Sequence, residues 1–181
     1  MSRGTQENER VRKKIMEALF TLLKRKEFSE ITVTDIVTEA NVARVSYYRN
    51  FETKEAIIEE YVDSVYRELA ENSVQELVFS YESLVRRFEH SFTCLLRQKA
   101  YILALYKNGF GSLVLEIMNR YIEEAAGDMP STSIERYKLY FVTGAAFNVL
   151  IKWLEGGVLE SPREMAKACA RFVRGDILAK E

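Results

Sequence analysis

Proline is nearly missing: Pro130 and Pro162 are the whole supply in 181 residues, and the eight glycines are thinly spread, so long segments run without a helix breaker. Cysteine is as scarce. Cys94 and Cys169 lie far apart, no Cys-x-x-Cys pair occurs and His90 is the single histidine, which argues against a disulfide framework or a metal cluster and fits a reduced cytosolic compartment. No uninterrupted apolar stretch reaches the roughly 18 residues of a membrane span. The N-terminus is polar and charged where a signal peptide would be apolar, so no targeting segment is expected. A glycine-rich phosphate loop and a nucleophile elbow are both lacking, and one histidine leaves few general bases. An enzyme is therefore not expected, nor is a cofactor.

What is present is apolar material in quantity. Hydrophobic residues make up 48% of the chain and aromatics 12%, enough to bury a core, so general disorder is excluded. The formal net charge of −1 conceals an asymmetry. Residues 1–54 hold eleven Lys/Arg against eight Asp/Glu, a balance of +3, which leaves −4 for the remainder. A basic end on an acidic body suits a protein that touches a polyanion at one end.

From Glu9 to Lys26 the apolar residues Val11, Ile15, Ala18, Leu19, Leu22 and Leu23 recur at three- and four-residue spacing, the mark of one buried helix face beneath a basic outer face. Thr32 and Asp35 then have capping-box spacing and open a short helix, Val33 to Ala40. Asn41 tolerates the left-handed conformation that ends a helix, so Asn41-Val42-Ala43 reads as a turn. Arg44 to Asn50 follows as a third short helix, and Thr53 caps a long fourth that runs to about Glu76. Further helices are predicted near Tyr81–Gln98, Ala100–Asn108, Ser112–Ala126, Ser133–Glu155 and Pro162–Leu178, with capping boxes at Thr132/Glu135 and Ser161/Glu164. No strand pattern and no internal repeat is found. The fold class is all-α, with about nine helices.

Two short helices joined by so tight a turn cross steeply, and one end projects. The projecting segment, Arg44-Val45-Ser46-Tyr47-Tyr48-Arg49-Asn50, is rich in groups that reach base edges and phosphates. The run from Phe28 to Ile57, "FSEITVTDIVTEANVARVSYYRNFETKEAI", resembles the DNA-binding segment of the TetR family of bacterial transcriptional regulators. The features stand in order: the Thr before the second helix, Ala40 and Val42 around the turn, Tyr48, Phe51, then Lys54 and Glu55. This sequence departs from the family's usual Gly at Asn41 and Val45, its Ser or Thr at Ala43 and its His at Asn50. Ala43 forfeits a side-chain cap, typically about 1 kcal/mol.

The resemblance implies an N-terminal helix-turn-helix domain over 1–54 and a C-terminal ligand-binding and dimerisation domain over 55–181. It implies DNA contacts from Thr34, Arg44, Val45, Ser46, Tyr47, Tyr48, Arg49 and Lys54, with Tyr48 and Lys54 on phosphates and Arg44, Ser46 and Tyr47 facing bases. Phe51 is assigned to the core. The stretch "YFVTGAAFNVLIKWLEGGVLESPREMA" is similar to the end of a subgroup that includes regulators of dihydroxyacetone kinase operons. In the family the last two helices pair in a four-helix dimer bundle, which implies Gly144, Ala145, Phe147, Trp153, Met165, Cys169 and Phe172 at an interface. Ligand pockets lie inside the C-terminal helices, where this chain has Phe88, Phe92, Tyr101, Phe110, Tyr121, Tyr140 and Phe147. His90 and Cys94 share a helix face as half a metal site, but lack two further ligands, so a partly buried pair is the simpler reading and no metal is expected.

The expected function is a repressor that holds a palindromic operator in double-stranded DNA as a homodimer and is released by a small apolar or aromatic effector. An activator governed by a protein co-regulator, and an all-helical interaction protein without DNA binding, are the alternatives the sequence leaves open.

Overall fold

In the computed structural model, which describes residues 3–71, 80–126, 134 and 136–175, each apolar period becomes a helix: nine α-helices and no strand among the described residues. They fall into two compact units, Met1–Ser64 with Ala104–Gly109, and Val65–Leu103 with Phe110–Glu181.

The first unit is built by α1 (Arg3–Leu22), a 3-10 turn (Phe28–Glu30), α2 (Val33–Ala40), α3 (Arg44–Asn50) and the start of α4 (Lys54–Glu71). Ile15, Ala18, Leu19, Leu22 and Leu23 are all buried, together with Phe20, whose ring lies 4.5 Å from that of Tyr61. The first helix ends earlier than its period suggests because Lys24-Arg25-Lys26 leaves the helix to meet α2: Arg25 pairs with Glu39 at 3.4 Å and Lys26 with Asp35 at 3.2 Å. Arg12 ties three elements. It pairs with Glu60 at 3.0 Å, lies 4.8 Å from the Phe51 ring centroid and donates to the Asn50 carbonyl at 3.4 Å. Asn108, from the second segment of this unit, accepts the Phe28 N–H at 2.9 Å.

The cap of α2 is reciprocal: Asp35 N–H donates to Thr32 Oγ1 at 3.1 Å and Thr32 N–H to an Asp35 carboxylate oxygen at 2.9 Å. Those hydrogen bonds from Thr32, with the Lys26 ammonium, hold Asp35 down at about 2 against an ordinary 3.8. The folded value lies below the unfolded one, so this stabilisation is present above pH 3.8 and is lost as pH falls towards 2. Helical circular dichroism of the wild type is expected to show an acid loss in that window that Asp35→Ala no longer shows; identical acid profiles for the two proteins would reject the assignment.

The second unit contains α5 (Tyr81–Arg97), α6 (Lys99–Lys107) as far as Leu103, α7 (Gly111–Ala126), α8 (Arg136–Glu155) and α9 (Pro162–Val173), with α5 packed on α9 and α7 on α8. Ser80 and Ser161 cap α5 and α9, the latter with Glu164 closing the box and Pro162 in the first turn. Val85, Phe92, Leu150, Trp153, Leu154, Ala166, Cys169 and Ala170 make the core. The last helix stops short of the predicted Leu178 because Gly175 turns left-handed, at φ 100°. Gly157 does the same after α8 at φ 96°, and Val158 follows at φ 63°, a conformation a β-branched residue adopts rarely. The box at Thr132/Glu135, and the expected end of the fourth helix near Glu76, lie outside the described residues.

Candidate functional site

The turn between α2 and α3 is set by Asn41, left-handed at φ 50° and ψ 54°, whose N–H returns to α2 carbonyls. Val42 N–H bonds the Val37 carbonyl at 3.1 Å, closing the turn. Ala43 stands at the start of α3 with no side-chain cap, as its hydrocarbon side chain requires. Tyr47 and Phe51 then pin α3 from beneath, at 0% and 4% exposure.

That geometry separates two adjacent tyrosines. Tyr47, expected to face bases, is instead wholly buried: its hydroxyl finds no hydrogen-bond partner, and burial pushes its pKa up to about 12. A helix turns 100° per residue, so placing Tyr47 in the core sends its neighbour Tyr48 outward, 51% exposed. The two rings meet edge to face at 5.2 Å.

On the outer face Arg44 is braced from both sides. Its guanidinium donates to Thr34 Oγ1 and to the Tyr48 hydroxyl, each at 3.3 Å. Thr34, Arg44, Val45, Tyr48 and Arg49 are thus brought to one exposed surface spanning the start of α2 and the length of α3, while Ser46 is half-buried beside it. Asn50 folds back, donating to the Ser46 carbonyl at 2.8 Å, so it adds nothing to this face.

Lys54, expected on a phosphate, is turned inward. Its ammonium donates to the Phe28 carbonyl at 2.6 Å and the Ile31 carbonyl at 2.9 Å, and sits 4.2 Å from the Phe28 ring centroid. Two of its three N–H donors are occupied, and the side chain works as a clamp on the loop before α2. The sequence shows its position at the start of α4 but not that two carbonyls lie within reach.

In the second unit a cavity of about 600 Å³ opens beside α8 and α9, floored by Ala145, Ala146 and Cys169 and walled by Phe88, Phe141 and Phe172. Of the seven aromatics expected around a ligand, only Phe88 borders it. Phe92 is core, its ring 5.3 Å from that of Trp153; Tyr121 stacks on Tyr66 at 5.0 Å; Tyr140 donates to Glu123, which Arg136 also holds at 2.9 Å. These bonds lower the Glu123 pKa and raise that of Tyr140. Tyr101, Phe110 and Phe147 are half-buried elsewhere in the unit.

The expected interface residues divide as well. Trp153, on α8, and Cys169, on α9, are buried inside the unit itself, at 4% and 5%, in the core that these two helices share with α5. Burial also pushes the Cys169 thiol up to about 11. Ala145 and Phe172 are exposed, and Gly144, Phe147 and Met165 half-buried. The exposed apolar stripe of α8 is carried instead by Tyr137 and Phe141, which sequence reasoning missed because α8 is apolar on nearly every side. His90 and Cys94 do meet, with Nε2 and Sγ 3.6 Å apart, but among the described residues no group of three metal-ligating side chains forms. Nor is any helix of the described residues long and apolar enough to cross a membrane.

Comparison with known proteins covers both units. Residues 15–61 match the family model described as bacterial regulatory proteins, tetR family, and residues 88–175 one described as a transcriptional regulator C-terminal region. No curated protein matches the sequence. Similar solved structures include a TetR transcriptional regulator from Streptococcus agalactiae, 20% identical with a TM-score of 0.61 over 94% of this chain and 97% of that one. A fatty acid degradation regulator, FadR, from Bacillus halodurans is 14% identical with a TM-score of 0.63 over 94% and 97%. The dihydroxyacetone kinase operon activator DhaS is 15% identical, with a TM-score of 0.60 over 92% and 96%. At these identities the likeness is one of fold.

Proposed function

This chain belongs to the TetR family of bacterial transcriptional regulators, DNA-binding helix-turn-helix proteins and not enzymes, and on that premise we propose that it is a repressor that grips a palindromic operator as a symmetric dimer. The observation that carries the reading is the outer face of α3, where Arg44 is held between Thr34 and Tyr48 with Arg49 beside them. Arginine reads guanine in the major groove by two parallel hydrogen bonds, and a guanidinium already oriented loses less freedom in making them.

Two such faces have to sit about one helical turn apart, roughly 34–36 Å, to enter successive major grooves. A second copy packed on Tyr137, Phe141 and Phe172 supplies that symmetry and also roofs the 600 Å³ cavity. An apolar or aromatic effector entering there, a space within the usual range of about 300–1,000 Å³ for ligand sites, shifts the dimer away from the DNA-binding arrangement by its differential affinity for the two states.

The test is selection of operator sequences from random duplexes by the full chain, followed by titrations of variants. Arg44→Ala is expected to relax discrimination at one base pair per half-site by about 1–3 kcal/mol. Arg49→Ala is expected to weaken all sequences alike and lower the salt slope by about one per half-site. Tyr47→Phe, altering only a buried hydroxyl, leaves the affinity where it was. Full sequence preference in Arg44→Ala would remove that residue from base reading, and an absence of enriched sequences would sink the operator reading.

A further inference from the structure

Among the described residues of 3–64, the large hydrophobic side chains left exposed are Val45, at 69%, and Tyr48, at 51%, three residues apart on one face of α3. Tyr48 has a polar reason to be there, since its hydroxyl accepts a hydrogen bond from Arg44. Val45 has none. Valine is a middling helix former, and an outward one gains no packing, so neither the helix nor the core accounts for it. Its neighbours Arg44, Tyr48 and Arg49 are all exposed, which sets two methyl groups within a rim of cations and a phenol.

The chemistry that matches such a surface is a polyanion carrying an apolar projection. In duplex DNA the major groove presents one: the C5-methyl of thymine, beside the acceptors that arginine reads. A β-branched side chain in a helix is held near a single rotamer, so Val45 offers its methyls as a rigid surface.

We propose that Val45 is a specificity-determining residue that reads the C5-methyl of one thymine in each operator half-site. This rests on the operator reading above and adds to it a named base feature and the side chain that detects it. Polar contacts set the register; Val45 distinguishes a thymine from a cytosine or uracil at that position by burying its methyl.

The experiment replaces the thymines of the selected operator, one symmetric pair at a time, with deoxyuridine, which deletes the methyl and leaves every hydrogen-bonding group in place. Wild-type protein is expected to lose about fourfold in affinity per half-site, so about fifteenfold in all, at one pair only, the effect of withdrawing one methyl from a buried contact. Val45→Ala, an exposed and helix-compatible change, is expected to bind the thymine operator more weakly by a similar factor and to be indifferent to uridine at that pair. If every thymine can be replaced without loss, or if the loss is equal in wild type and Val45→Ala, the proposal is overturned while the operator reading stands. Failure to select any operator overturns both.

Discussion

Phe141→Arg is expected to give a folded monomer that has lost its grip on a palindromic operator. Phe141 is 66% exposed within its own chain and lies with Tyr137, at 70%, on the outward stripe of α8 that leads to Phe172 at the end of α9. Contiguous apolar surface of this kind on a single chain marks an interaction site. A guanidinium there meets only water if the face is free, but is buried without a partner if a second copy covers it, which costs several kcal/mol. Sedimentation should therefore show monomers at concentrations where the wild type is dimeric, with unchanged fluorescence from Trp153, the single tryptophan. Operator affinity should fall by on the order of a hundredfold or more, because the two half-sites no longer act at a shared effective concentration. A Phe141→Arg protein that sediments as the wild type does would move the interface off this face.

Trp153→Ala is expected to act on folding instead. The indole is 4% exposed, meets Phe92 edge to face at 5.3 Å and donates from Nε1 to the Glu160 carbonyl at 3.0 Å, tying the end of α8 to the loop before α9. Removing it leaves a large cavity and an unpaired carbonyl, a loss of about 3–5 kcal/mol. Trp153→Phe keeps most of the volume and loses the hydrogen bond, so about 1 kcal/mol is expected. Denaturation followed by circular dichroism separates the two. The shift should persist at every protein concentration, whereas loss of an interface residue weakens with dilution. A Trp153→Ala protein that unfolds at the wild-type midpoint would place the indole outside the core.

These outcomes divide along what was local in the sequence and what was not. The boundaries of α2, the turn and α3 are governed by contacts a few residues long: Thr32 with Asp35, the left-handed Asn41, the uncapped Ala43. Such interactions form within the segment that encodes them, and the sequence therefore determined the helix-turn-helix, its register and the all-helical class. The basic, polar character of Arg44 to Asn50 was equally legible, since composition survives any arrangement of the rest. Which of two adjacent tyrosines enters the core was not. Tyr47 and Tyr48 are interchangeable by type, and only the packing of α1 and α2 beneath α3 chose Tyr47. The inward turn of Lys54 needed the Phe28 and Ile31 carbonyls, more than twenty residues away in sequence. Trp153 and Tyr137 present the same case on a larger scale. An α8 apolar on nearly all sides carries no period to say which face is inner, and α5 and α9, by covering Trp153, left Tyr137 and Phe141 outside.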